Sequence, residues 1–191
     1  MNFSAIRNIV MTLTVFASLA SAQEADWTKL TSREGSFTTQ VPQGWVIADP
    51  EDPTYVAMLE RFRKDNPKIA ASMSQKPGDS TILMAYDSNS ATADGMIDVL
   101  TVVKQAHGGL TTDMYGEVMK EIKKAITVKG KIESKVVDVS TGKTLSYWYT
   151  VPVKIGDAGE VDLDQFCLMF IKGENLYVVS FTTKGGTMKA K

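Results

Sequence analysis

The chain alternates nearly unbroken apolar runs with two stretches in which apolar residues return every third or fourth position. The first rhythm predicts strands at residues 36–41, 81–86, 96–103, 132–139, 144–153, 164–171 and 176–183. The second predicts helices. Tyr55, Met58, Leu59 and Phe62 stand at i, i+3, i+4 and i+7, behind a capping Asp52 and a Pro53 suited to the first helical position. Asn66-Pro67 ends that helix and opens a short second one at residues 68–73. Tyr115, Val118, Met119, Ile122 and Ile126 share one face of a helix over 111–126, with Glu117, Lys120, Glu121 and Lys124 opposite. Residues 23–35 read as a polar lead-in holding Trp27, and Pro42-Gln43-Gly44-Trp45 as a turn that plants an aromatic.

After residue 126 Thr141-Gly142 and Gly173-Glu174-Asn175 supply tight turns between strands, and residues 155–160 a longer connection. Neighbouring strands with such tight links must run antiparallel, because parallel ones need a long crossover. Runs such as Tyr147-Trp148-Tyr149 and Leu176-Tyr177-Val178-Val179 are apolar on both sides, which calls for a sheet covered on both faces. The helices at 53–73 and 111–126 supply one cover each. The expected class is α+β: an α/β/α sandwich around a central, mostly antiparallel sheet of six or seven strands.

The first 22 residues follow a different logic. Arg7 precedes an apolar run over residues 9–19, too short to span a bilayer, and Ala20-Ser21-Ala22 is a small-x-small cleavage site before Gln23. Residues 1–22 therefore read as a signal peptide cut near Ala22-Gln23. Residues 23–191 then form a single domain, periplasmic or secreted, with no transmembrane segment. Cys167 is the one cysteine, so no internal disulfide forms, and its apolar neighbours predict a buried thiol.

Phe37, Val41, Pro42, Gly44 and Trp45 are spaced as in the opening of the PsbP-like superfamily. The stretches 140–149, with Gly142, Tyr147 and Tyr149, and 165–181, with Phe170, Gly173, Tyr177 and Phe181, resemble its C-terminal meander. The resemblance covers about residues 36–184. It implies an α/β/α sandwich with a central antiparallel sheet, and a binding or assembly module of the cell envelope rather than an enzyme.

Charge sharpens the picture mainly by exclusion. Net charge is −1, but residues 120–143 carry seven lysines, among them Lys120, Lys123 and Lys124, against Glu121, Glu133 and Asp138. Such a segment suits an acidic partner or an anionic membrane surface, or it is a solvated face. It has no arginine and no aromatic interleaving, so nucleic acid is set aside. His107 is the only histidine, in a turn before Gly108-Gly109, and no Gly-x-Ser-x-Gly elbow occurs. One histidine and one cysteine are too few for zinc, copper or haem. Asp157, Glu160, Asp162 and Asp164 lie close together but miss the EF-hand spacing, so loop solvation is expected rather than calcium. No metal and no cofactor is expected.

Aromatics remain. Trp45, Tyr147 and Tyr149 are the candidate binding residues, with Lys120, Lys123 and Lys124 as a candidate charged surface. On a strand Tyr147 and Tyr149 point one way and Trp148 the other. The expected function is recognition of an envelope protein partner or small ligand. The alternatives are a hydrolase working through carboxylates and a peripheral membrane protein attached through residues 120–143.

Overall fold

The computed structural model describes residues 27–67, 78–90, 96–139, 142–154 and 159–186. Nine strands and two helices follow in the order β1 (Trp27–Thr31), β2 (Thr38–Pro42), β3 (Trp45–Ile47), α1 (Pro53–Asp65), β4 (Thr81–Asp87), β5 (Val99–Ala106), α2 (Tyr115–Ala125), β6 (Lys129–Val139), β7 (Gly142–Lys154), β8 (Glu160–Lys172) and β9 (Asn175–Lys184). A single turn of 3-10 helix, Thr112–Met114, leads into α2. The expected second helix at 68–73 and the Thr141 turn lie outside the described residues.

β3 to β9 form one antiparallel sheet of seven strands in the order β3-β4-β5-β9-β8-β7-β6. This is the α+β arrangement expected. β1 and β2 pair with each other as a separate hairpin. Two strands depart from expectation. β1 lies in the stretch read as a polar lead-in, where of its five side chains Leu30 alone is buried. β3 is only three residues long and follows directly on the Gly44 turn.

The helices start and stop for local reasons. Asp52 Oδ1 accepts the Thr54 N–H at 2.7 Å, Pro53 fills the first turn, and Asn66 N–H closes on Phe62 O. α2 buries Tyr115, Val118, Met119 and Ile122, the predicted stripe. Each such side chain contributes roughly 1.5–3 kcal/mol by leaving water.

Register shows which face each helix covers. Partners across antiparallel strands share a face. α2 packs with Val103, Val178, Met169, Leu145 and Tyr147, which stand in line through the pairs Val103–Val178, Val178–Met169 and Met169–Leu145. α1 packs with Tyr86, Met84 and Val99, and Tyr86 pairs with Val99 two positions from Thr101 on the same face as Val103. Both helices therefore lie on one side of the sheet, a correction to the expectation of one per face. The other side is roofed by the β1–β2 hairpin, whose Leu30 and Val41 pack on Leu83, Ala85, Leu100, Val102 and Val179. Phe37 stacks toward Tyr177, centroids 6.4 Å apart. The hairpin wins this place because alternate residues of β4, β5 and β9 are apolar on both faces.

Candidate functional site

Trp45 is set by its turn. Gly44 has φ of +105°, which favours glycine, and its carbonyl accepts both Ser88 N–H and Ser88 Oγ, at 3.0 and 2.7 Å. Asn89 Nδ2 donates to Gln43 O at 3.3 Å. A Cβ on Gly44 would collide with Asn89. The loop after β4 thus holds the turn, and the turn fixes where β3 begins.

From there the Trp45 ring runs across the hairpin side of the sheet and meets Phe181, with centroids 5.5 Å apart and planes tilted by 33°. Phe181 pairs with Phe166 and Phe166 with Trp148. Four aromatic side chains thus make one row across β3, β9, β8 and β7. Strands are spaced at about 4.8 Å. Trp45, Phe166 and Trp148 are half-buried, and Phe181 is buried.

A row of acids runs beside the aromatics on the same face. Trp45 pairs with Asp87, and Asp87 N–H donates to Asp98 O at 3.0 Å. Asp98 is hydrogen-bonded by Thr183, whose strand partner is Asp164. Asp164 is buried, accepting Thr150 Oγ1 at one carboxylate oxygen and Gly186 N–H at the other, both at 2.8 Å. Burial raises the Asp98 pKa, Thr183 opposes that, and the nearby Asp87 charge adds to it. The folded pKa thus lies above the unfolded one, so Asp98 favours the fold below the ordinary carboxylate range and loses that contribution as pH rises through the shifted value. Asp98→Asn is expected to raise the thermal midpoint at neutral pH, with the gain vanishing on acidification through the carboxylate range. Melting curves across pH test this, and a gain independent of pH would refute the burial argument.

The other sequence-selected aromatics are elsewhere. Tyr147 and Tyr149 stack with centroids 6.2 Å apart in the core on the opposite, helical face. Tyr147 is fully buried and Tyr149 nearly so, with Tyr149 Oη donating to Gln165 Oε1 at 2.7 Å. The structure therefore separates these tyrosines from Trp45 by the thickness of the sheet. Lys120, Lys123 and Lys124 form a third location, the solvent side of α2.

Within residues 120–143 the positive charge is largely answered. Lys120 pairs with Glu117, Lys124 with Glu121, Lys129 with Asp162, Lys131 with Glu133 and Lys143 with Asp138. Exposed pairs of this kind add little stability, but they lower the net field offered to an anionic surface. Asp162 is accordingly an ion-pair partner and Asp164 a buried acceptor. Asp157 lies outside the described residues.

Cys167 is fully buried, and burial drives its thiol pKa well up, with the neighbouring hydroxyls of Tyr147, Ser180 and Tyr149 opposing. A thiol so held stays protonated and unreactive. His107 stands at the other end of the strands, its N–H donating to Glu174 O at 3.1 Å. Five residues of β8 separate Cys167 from Lys172, the level of that turn, which is roughly 15 Å along a strand. The two do not form a nucleophile–base pair. Among the described residues, no group of three His, Cys, Asp or Glu side chains is placed to hold a metal, and no helix is long and apolar enough to cross a membrane.

Sequence reasoning reached Trp45 and the opposite facing of Trp148, but missed Phe166, Phe181, Asp87 and Asp98 as their companions. The available signal was parity along each strand; the missing one was register between strands.

No protein-family model and no curated protein matches the chain. Some solved structures are similar in fold. The Ran-binding protein Mog1p of Saccharomyces cerevisiae is 11% identical, with 84% of this chain and 78% of that one covered at a TM-score of 0.47. A Mog1 mutant is 13% identical, with 85% and 79% covered at 0.48. Cyanobacterial PsbP (CyanoP) from Synechocystis sp. PCC 6803 is 13% identical, with 89% and 87% covered at 0.45. At these identities and scores the likeness does not extend to a site or a ligand.

Proposed function

We propose that residues 23–191 are an exported, non-catalytic binding or assembly module of the cell envelope, recognising a protein partner or small ligand through the row Trp45, Phe181, Phe166 and Trp148. The observation that carries this reading is that aromatic row, half-buried except at Phe181 and bordered by Asp87, Asp98 and Asp164. Aromatic side chains offer large apolar area with few rotors to freeze, and neighbouring carboxylates favour a ligand or partner with positive charge. The burial of Cys167 and its separation from His107 fit the same reading. Export rests on the first 22 residues of the sequence.

The test uses the mature protein as bait for envelope extract. A specific protein or ligand is expected to be retained, and Trp45→Ala is expected to weaken retention by about tenfold or more, the scale of an aromatic hot spot. Retention unchanged in a folded Trp45→Ala variant would overturn the assignment of the row. Recovery of the chain from the envelope fraction with Gln23 at its N-terminus checks export.

One observation favours a second reading, a carboxylate hydrolase. Asp98, with its raised pKa, is two strand spacings from the buried acceptor Asp164, about 9–10 Å. A broad esterase and glycosidase screen decides between them. Turnover abolished in Asp98→Asn would replace the binding reading.

A further inference from the structure

The two edges of the seven-stranded sheet are defended differently. At one edge β6 carries Lys129, Lys131 and Lys135, charges of the kind that discourage another strand from adding. At the other edge β3 covers only part of β4. It pairs with residues 85–87, and Ala48 N–H still reaches Met84 O at 2.8 Å. Asp49 N–H then turns back to Ile47 O and the chain leaves toward α1. β4 begins at Thr81, and among the described residues no strand pairs with Thr81, Ile82 or Leu83 on this side. This stretch has no charge and no proline. Its register to β5 shifts between Thr81 and Leu83, a bulge that re-aims the strand there.

A cleft of about 650 Å³ lies at this undefended edge, within the size range of ligand sites. Ile47, Ile82, Leu83 and Met84 give it an apolar floor. Its rim is acidic: among the described residues Asp49, Glu51 and Asp79 stand against a single cation, Arg33, which already pairs with Asp49 at 3.7 Å. Trp45 is not part of its lining, so the cleft is separate from the aromatic row.

We propose that the open edge of β4 around Ile82, between the Thr81 N–H bonded to Gly78 O and the Met84 O taken by Ala48 N–H, accepts an extended segment of another protein, alternating apolar and basic residues, by strand addition. Main-chain groups of the segment would pair with the edge, its apolar side chains enter the floor, and its Lys or Arg side chains meet Glu51 and Asp79. The acidic rim selects against an acidic segment and makes the interaction weaken with salt.

The test measures fluorescence anisotropy of a short labelled peptide of alternating Lys and Val with the mature protein at low salt. Two controls are the Glu-Val counterpart and a Lys-Val peptide N-methylated at alternate amides. The Lys-Val peptide is expected to bind, both controls to fail, and amide exchange at Ile82 to slow in the complex. Glu51 and Asp79 are exposed, so the double variant Glu51→Lys, Asp79→Lys is expected to fold normally and lose about tenfold in affinity. Trp45→Ala is expected to bind the peptide normally, which separates this result from the test of the aromatic row. Equal binding of the N-methylated peptide, or no effect of the charge reversal, would overturn the proposal. So would self-association blocked by the Lys-Val peptide, which would give the edge to β6 of a second copy.

Discussion

Tyr147→Ala is expected to cost about 3–5 kcal/mol of stability, while Tyr147→Phe stays within about 1 kcal/mol of the parent. The ring is fully buried between β7 and α2, packed with Leu145, Cys167 and Ile122 in the larger core and stacked on Tyr149. Removing it opens a cavity that closely packed neighbours fill only in part. The hydroxyl is another matter. Tyr147 Oη and Ser180 Oγ are buried without a well-formed hydrogen bond, and the thiol of Cys167, Tyr147's strand partner, is a weak one. Losing a poorly satisfied hydroxyl costs little. Urea unfolding of the two variants checks the contrast. Cys167 gives an independent readout, because its thiol should react with an alkylating reagent only when the core opens. A Phe variant as unstable as the Ala variant would show that the hydroxyl, not the ring, holds the core.

Phe62→Ala is the second large effect, about 3–5 kcal/mol. α1 buries only Met58 and Phe62, and Phe62 is 1% exposed against Tyr86 and Ile97. Tyr55 adds a stack on Tyr86 at 5.8 Å, but from a half-buried position. With Phe62 gone, the helix has no deep anchor. Hydrogen exchange should therefore speed up in α1 before it does in β7, β8 or β9, since regions open in proportion to what they bury. Glu60→Ala, on the exposed side of the same helix, is expected to change stability by less than about 0.5 kcal/mol. An exchange pattern that accelerates uniformly would mean that α1 and the sheet open together.

Much of the fold could be read along the chain because its elements announce themselves locally. β7, β8 and β9 are long apolar runs between turn residues, α1 has a cap and a stripe in sequence, and α2 has a stripe. β1 escaped because it sends one buried side chain, Leu30, inward among polar neighbours, and β3 because three residues show no period. The placement of the helices was illegible for a different reason. A stripe says that a helix packs, but when β5 and β9 are apolar on both faces it does not say on which side. The site was half legible in the same way. Alternation along β7 already put Tyr147 and Tyr149 away from Trp148. The neighbours that make Trp45 part of a row depend on register between strands, and above all on pairing between strands distant in sequence, such as Leu100 with Phe181.

The position of β9 has a consequence for how the chain reaches this structure. β6, β7, β8 and β9 pair in order, each with the next along the chain, and can zip up as neighbours, whereas β5 has β4 on one side only until residues 175–182 arrive to complete the other. Contacts that close such long loops form late. During synthesis, then, the first half of the sheet waits with an unsatisfied flank until the closing strand emerges, and a holding factor acting in that interval would find β5 exposed.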